Sequence, residues 1–119
     1  MNKKTIGASG EEEAVSYLDS LGYAILHQNW RVGHAEVDII ARTAHTIIFC
    51  EVKTRNTSTQ EILDDLIPPN QRKSLEFAAN EYVQTQEETE LEIRFDLILI
   101  RPNAELRVKH IPHIFFPEP

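Results

Sequence analysis

Apolar residues recur along this chain at two spacings, and the switches between them mark out its elements. From Glu11 to Leu21 they fall at Ala14, Val15, Leu18 and Leu21, the period of an amphipathic helix that Gly22 ends. Ser9 stands as its N-cap, and Glu12 three residues on completes a capping box. Tyr23 to Arg31 reads as an edge strand, with Tyr23, Ile25, His27 and Asn29 on one face and Ala24, Leu26, Gln28 and Trp30 on the other. Ala35 to Ala41 and Thr46 to Lys53 are rich in β-branched and aromatic residues and predict two further strands, joined by the polar segment Arg42 to His45. Asn56 to Asp65 is polar, rich in Thr and Ser, and predicts a mobile loop. Pro68-Pro69 then introduces a helix over Asn70 to Gln86, with Leu75, Phe77, Ala78, Ala79, Tyr82 and Val83 as its buried stripe. Leu91 to Ile100 and Leu106 to Ile111 predict the last two strands. The order α-β-β-β-α-β-β describes an α/β fold, a mixed β-sheet flanked by helices.

At 119 residues with 41% hydrophobic content, the expectation is one domain spanning 1–119 with a modest core. Met1-Asn2-Lys3-Lys4 lacks the apolar run of a signal peptide, and no segment is long enough to span a bilayer. A cytoplasmic protein with no membrane partner is expected. Cys50 is the only cysteine, which excludes an internal disulfide, and its mid-strand position predicts a buried, unreactive thiol. The net charge of -7 counts against a polyanionic partner. Its distribution softens that argument, because acidic residues gather at Glu11 to Glu13, Asp64-Asp65 and Glu87 to Glu92. Arg31, Lys53, Arg55, Arg72 and Lys73 instead lie near one strand end, in sequence or by strand adjacency.

That strand end carries the chemistry. Asp38, and thirteen positions later Glu51-Val52-Lys53, each stand at the polar end of an apolar run. Alternation puts Glu36, Asp38 and Ile40 on one face of their strand, and Phe49, Glu51 and Lys53 on one face of the partner. With Ala44-His45 as a two-residue turn, Asp38 falls opposite Glu51 and Glu36 opposite Lys53. Carboxylates opposed at about 4.5–5.5 Å repel unless something positive lies between them, and a divalent cation fills that role. Asp38 and Glu51 are hard oxygen ligands suited to Mg²⁺ or Mn²⁺, with the Val52 carbonyl as a further ligand. Lys53 beside them suits the orienting of a water or the stabilising of transition-state charge. The competing reading is a solvated strand end with a Glu36–Lys53 ion pair, worth well under about 1 kcal/mol. Glu12 and Glu13 read as first-turn charges against the helix dipole. His110-Ile111-Pro112-His113 has metal-ligand spacing, but its proline and the lack of further ligands assign it to structure. Trp30 and Tyr23 read as packing residues.

The motifs Gly7-x-x-Gly10-Glu11, Ala14-x-x-Tyr17-Leu18, Gly22-Tyr23-x-Ile25-Leu26, Asn29-x-Arg31, Glu36-x-Asp38, Glu51-Val52-Lys53-Thr54-Arg55, Arg94-Phe95-Asp96 and His110-Ile111 follow one another over nearly the whole chain. Together they resemble the PD-(D/E)XK nuclease superfamily. The closer resemblance is to the YraN-like family of uncharacterised bacterial proteins, similar in turn to archaeal Holliday-junction resolvases. It implies a restriction-endonuclease-like fold and metal-dependent hydrolysis of DNA phosphodiesters in repair or recombination. Asp38, Glu51 and Lys53 would then be catalytic, with Mg²⁺ or Mn²⁺ held by Asp38 and Glu51. Glu11 resembles the extra acidic residue of resolvase-like members, in reach of the metal directly or through water. Gln71 stands where that family leads one to expect Lys, although other superfamily members use Gln, and Ala35 replaces an expected Gly. Glu36, Arg31, Arg55, Gln71, Arg72 and Lys73 are the implied substrate contacts. A homodimer is implied by the resolvase-like relatives. The rival expectation is a non-catalytic DNA-binding or assembly module that keeps the nuclease fold.

Overall fold

The computed structural model describes residues 3–55 and 63–115. Helix α1 (Lys3–Ser20) leads into strands β1 (Ala24–Val32), β2 (Ala35–Thr43) and β3 (Thr46–Thr54). A single helical turn, α2 (Leu63–Leu66), precedes the long helix α3 (Pro69–Gln84), and strands β4 (Glu92–Ile100) and β5 (Val108–Phe115) follow. Apart from α2, this is the predicted order. The strands form one five-stranded sheet in the order β1-β2-β3-β4-β5, antiparallel throughout except for the parallel pair β3–β4. A parallel pair needs a crossover, and α3 supplies it.

Each face of the sheet has its own core. Val37, Ile40, Ile47, Phe49, Phe95 and Leu97 bury against Leu75, Ala78, Ala79 and Tyr82 of α3. Ile39, Ala41, Ile48, Cys50, Ile98 and Ile100 bury against Ala14 and Leu18 of α1. The middle strands β3 and β4 are covered on both faces, which explains their near-continuous apolar runs.

Several predicted details give way to this packing. Helix α1 begins at Lys3, so Ser9 lies inside it rather than capping it, and Gly7 and Gly10 are helical residues. Leu21, expected on the buried face, is 51% exposed because it follows the last helical turn. Phe77 is 49% exposed. It stands about 200° around the helix from Leu75, outside the stripe that α3 turns to the sheet. Strand β5 runs from Val108 to Phe115, through Pro112, because its pairing with β4 shifts register between Phe95 and Leu97, where the missing proline N–H is not needed. Most of the predicted mobile loop, residues 56–62, lies outside the described residues, and its last residues enter α2.

The strict alternation expected of β1 and β2 also fails: β1 shifts register between Ile25 and His27, and a second irregularity is shared by both strands. His27 and Trp30, three residues apart, both meet the Tyr82 ring edge-on, at 5.4 and 5.3 Å. Across from them Val37 and Ile40 share the α3-side core, while Ile39 and Ala41 face α1. Asn29 lies between the Gln28–Ile39 and Trp30–Val37 pairs with φ of 52°, a conformation that Asn tolerates better than most residues. The residue across the sheet from this kink is Asp38.

Candidate metal and nucleic-acid site

The β2–β3 hairpin turns at Ala44-His45, as predicted, with Ala44 at φ 50°. Pairing runs from Thr43–Thr46 to Ile39–Cys50 and stops one step short of Asp38 and Glu51. There the Asp38 side chain takes over from the main chain, and its Oδ2 accepts the Val52 N–H at 2.8 Å. The kink thus turns Asp38 toward the end of β3, a common use of irregular strands beside functional sites. In an extended strand the N–H and C=O of one residue point the same way, so the Val52 carbonyl also looks toward Asp38.

Glu51 is 6% exposed and is held from two sides. Its Oε1 accepts from Gln71 Nε2 at 2.7 Å and lies 3.2 Å from Lys53 Nζ. Lys53 Nζ in turn donates to Gln71 Oε1 at 3.4 Å, closing a ring of three side chains. Gln71 reaches this position from the first turn of α3, which Pro68 and Pro69 start at the carboxyl end of β3. The sequence named Gln71 without settling its role; the geometry makes it the brace between Glu51 and Lys53.

Burial pushes the Asp38 carboxyl up to about 7, and the Glu51 charge adds to the effect; the Val52 N–H opposes it, while Glu11 and Glu36 push further up. Glu51 is also raised, by burial, although the Lys53 charge and the hydrogen bonds from Lys53, Gln71 and Asp38 pull the other way. The Glu51 charge acts on Asp38, and a proton shared between the two carboxyls would ease their repulsion. A divalent cation does the same electrostatic work as that proton with twice the charge, so the donor set fits Mg²⁺ or Mn²⁺. Among the described residues no three His, Cys, Asp or Glu side chains converge at metal-ligand distance. Glu11 stands near enough for its charge to raise Asp38.

In place of the Glu36–Lys53 ion pair of the competing reading stand two others. Arg31 lies directly across from Glu36 in the β1–β2 pairing and binds it at 3.2 Å, with the Arg31 side chain 75% exposed. Lys53 is left to Glu51. Arg72 turns away from the carboxylates, donating Nε to the Ile67 carbonyl at 3.0 Å with its guanidinium 5.9 Å from the Phe115 ring centre. Arg55 continues the β3–β4 pairing through its N–H to the Ile100 carbonyl, and Lys73 is exposed on α3.

A second polar cluster, given no role from the sequence, lies on the α1 side of the sheet. Asp96 is fully buried and accepts two bonds from Arg94, at 2.9 and 2.7 Å, and one from the His113 N–H at 3.2 Å; its Oδ2 lies 2.7 Å from His110 Nε2. Arg94 also donates to the Tyr23 hydroxyl at 2.9 Å, and Tyr17 meets His110 Nδ1 at 3.3 Å. Burial alone would raise Asp96, but the bonds to His110 and Arg94 outweigh it and hold the carboxyl below its usual range. The available signal was Arg94-x-Asp96 in an otherwise apolar strand, since two opposite charges two apart share one face. Away from the candidate site, Arg42 is paired with Glu88 at 2.7 Å, and Arg107 Nε with Glu13 at 3.2 Å. Each of these arginines has its own carboxylate.

The model of the uncharacterised protein family UPF0102 matches residues 10–100, a span holding Glu11, Asp38, Glu51, Lys53 and Gln71. A UPF0102 protein of Caldicellulosiruptor saccharolyticus is 40% identical over 111 residues, covering 93% of this chain and 94% of that one. One from Christiangramia forsetii is 43% identical over 112 residues, 93% of each chain. One from Bacteroides fragilis is 36% identical over 113 residues, 94% of this chain and 93% of its own. The chain belongs to the UPF0102 family, the YraN-like proteins its motifs resemble.

Proposed function

We propose that this protein is a Mg²⁺- or Mn²⁺-dependent nuclease that hydrolyses DNA phosphodiesters in repair or recombination. The observation that carries the reading is the Asp38–Glu51 pair at the end of β3, a half-buried carboxyl held by the Val52 N–H and a buried one held by Gln71, with Lys53 3.2 Å from Glu51. A carboxyl pair with this much desolvation is costly to a fold, and such groups gather where chemistry needs them. Asp38, Glu51 and the Val52 carbonyl would hold the cation, with Glu11 contributing through water. When bound, the cation supplies charge neutralisation at the scissile phosphate and lowers the pKa of an attacking water. Gln71 fixes the Glu51 carboxylate and the Lys53 ammonium relative to one another. Lys53 then faces the charge that builds on the phosphoryl oxygens.

The net charge of -7 is unevenly spread, with Arg42, Arg94 and Arg107 paired to the chain's own carboxylates away from the site. Lys53, Arg55 and Lys73 supply positive charge at the site end. Among the described residues no helix is long and apolar enough to cross a membrane; the cytoplasm is the proposed place of action. A homodimer would present two sites to two strands of a branched DNA.

Labelled linear, single-stranded and four-way-junction DNA incubated with Mg²⁺ or Mn²⁺ tests the reading, with Asp38→Asn as the control. Cleavage lost in the variant supports it. The net charge of -7 favours a second reading, an assembly or DNA-binding module that keeps the fold and the site. DNA retention without cleavage by any metal would put that reading first.

A further inference from the structure

Gly10 is a buried residue inside α1, where glycine weakens a helix relative to alanine. Its surroundings account for its presence. A Cβ built on Gly10 would lie 2.5 Å from Thr54 Oγ1, nearer than real carbon atoms approach, with Ile100 Cγ1 at 3.8 Å and Thr54 Cβ at 3.9 Å. Thr54 is the last residue of β3, three positions after Glu51 and next to Lys53. The helix backbone thus rests directly on the strand end that carries the candidate site. The next residue is Glu11, whose charge reaches Asp38.

We propose that Gly10 is a positioning residue, whose missing side chain lets α1 seat on Thr54 and so sets the distance between Glu11 and the Asp38–Glu51 pair. This rests on the metal-site reading above. A methyl at Gly10 pushes α1 outward and moves Glu11 relative to the pair, unless Thr54 turns to another rotamer and leaves α1 in place. Glu11 is an outer partner, and outer partners are sensitive to displacements that leave the fold intact.

Calorimetric titration of Mn²⁺ into the full chain and its variants tests this. Gly10→Ala is expected to weaken Mn²⁺ binding roughly tenfold, the scale of losing an outer-sphere partner. Thr54→Ala removes the oxygen that the new methyl would strike, leaving an ordinary contact at 3.9 Å, so the Gly10→Ala/Thr54→Ala pair should bind within about twofold of the unaltered chain. Glu11→Gln should weaken binding in the unaltered chain and add little in the Gly10→Ala background, because the carboxylate is already displaced there. General damage to the fold would show neither rescue by Thr54→Ala nor this non-additivity, and that pattern overturns the inference. Native affinity in Gly10→Ala overturns it as well while leaving the metal site standing. No Mn²⁺ binding by the unaltered chain overturns both.

Discussion

Replacing Asp38 by Asn should stabilise the metal-free protein at neutral and alkaline pH while abolishing its response to metal. The Asp38 carboxyl is raised from 3.8 to about 7, first by burial and then by the Glu51 charge. A carboxyl that titrates higher in the folded state keeps its proton there after the unfolded chain has released it. Its contribution to stability is therefore complete below about pH 4 and is lost as pH rises through about 7. The gap of about 3 pK corresponds to ~4 kcal/mol at full development. Water reaching a half-buried carboxylate reduces this, so the expected difference is about 1–3 kcal/mol at pH 8. Asn removes the charge and keeps an oxygen able to accept the Val52 N–H, so the main-chain contact at 2.8 Å survives. Urea denaturation in EDTA from pH 5 to 8.5 provides the assay. The unaltered chain should lose stability across that range more steeply than Asp38→Asn, and the variant should be the more stable at pH 8. Adding Mn²⁺ should stabilise the unaltered chain alone, narrowing or reversing the gap. If Asp38→Asn is the less stable protein at pH 8 in EDTA, the carboxyl serves the fold and the reasoning fails.

Lys53→Ala should leave the fold and most Mn²⁺ binding intact and lower any DNA cleavage by about 10² or more, read from initial rates on the cleaved substrate. Gln71→Ala should lower cleavage with a smaller loss of metal affinity than Glu51→Gln, because it frees Glu51 and Lys53 from one another without removing a ligand; equal losses in calorimetry would count against the bracing role. Asp96→Asn should cost about 3–5 kcal/mol, since it leaves Arg94 and His110 without their buried charge partner, and thermal unfolding at pH 7 would show it. Because the Asp96 carboxyl titrates low, its stabilisation is present above about pH 4 and declines as the pH falls through its folded-state value, so the variant should also lose part of the acid limb of the stability profile. Ala44→Gly should add about 0.5–1 kcal/mol, as Ala44 sits at φ 50°, where a Cβ is unfavourable.

Periodicity alone settled the order of elements, because burial on one stripe of a helix or on both faces of a middle strand leaves a direct trace in residue type. The two-residue turn at Ala44-His45 was legible as well, and with it the register that brings β2 and β3 to one step short of Asp38 and Glu51. Three things belonged to the tertiary structure. The kink at Asn29 and Asp38 depends on how two strands bend together, which no pattern along a single strand encodes. The partners of charged groups depend on which neighbour lies nearest in space, so Arg31 took Glu36, Gln71 came eighteen positions from Lys53 to brace it, and Arg94, His110 and Asp96 closed a network that the chain spreads over two strands. The helical state of Gly10 was hidden because a glycine read by itself signals a boundary, whereas here the helix passes through it to rest on Thr54. Residue type records whether a side chain is buried; only the folded chain records against what.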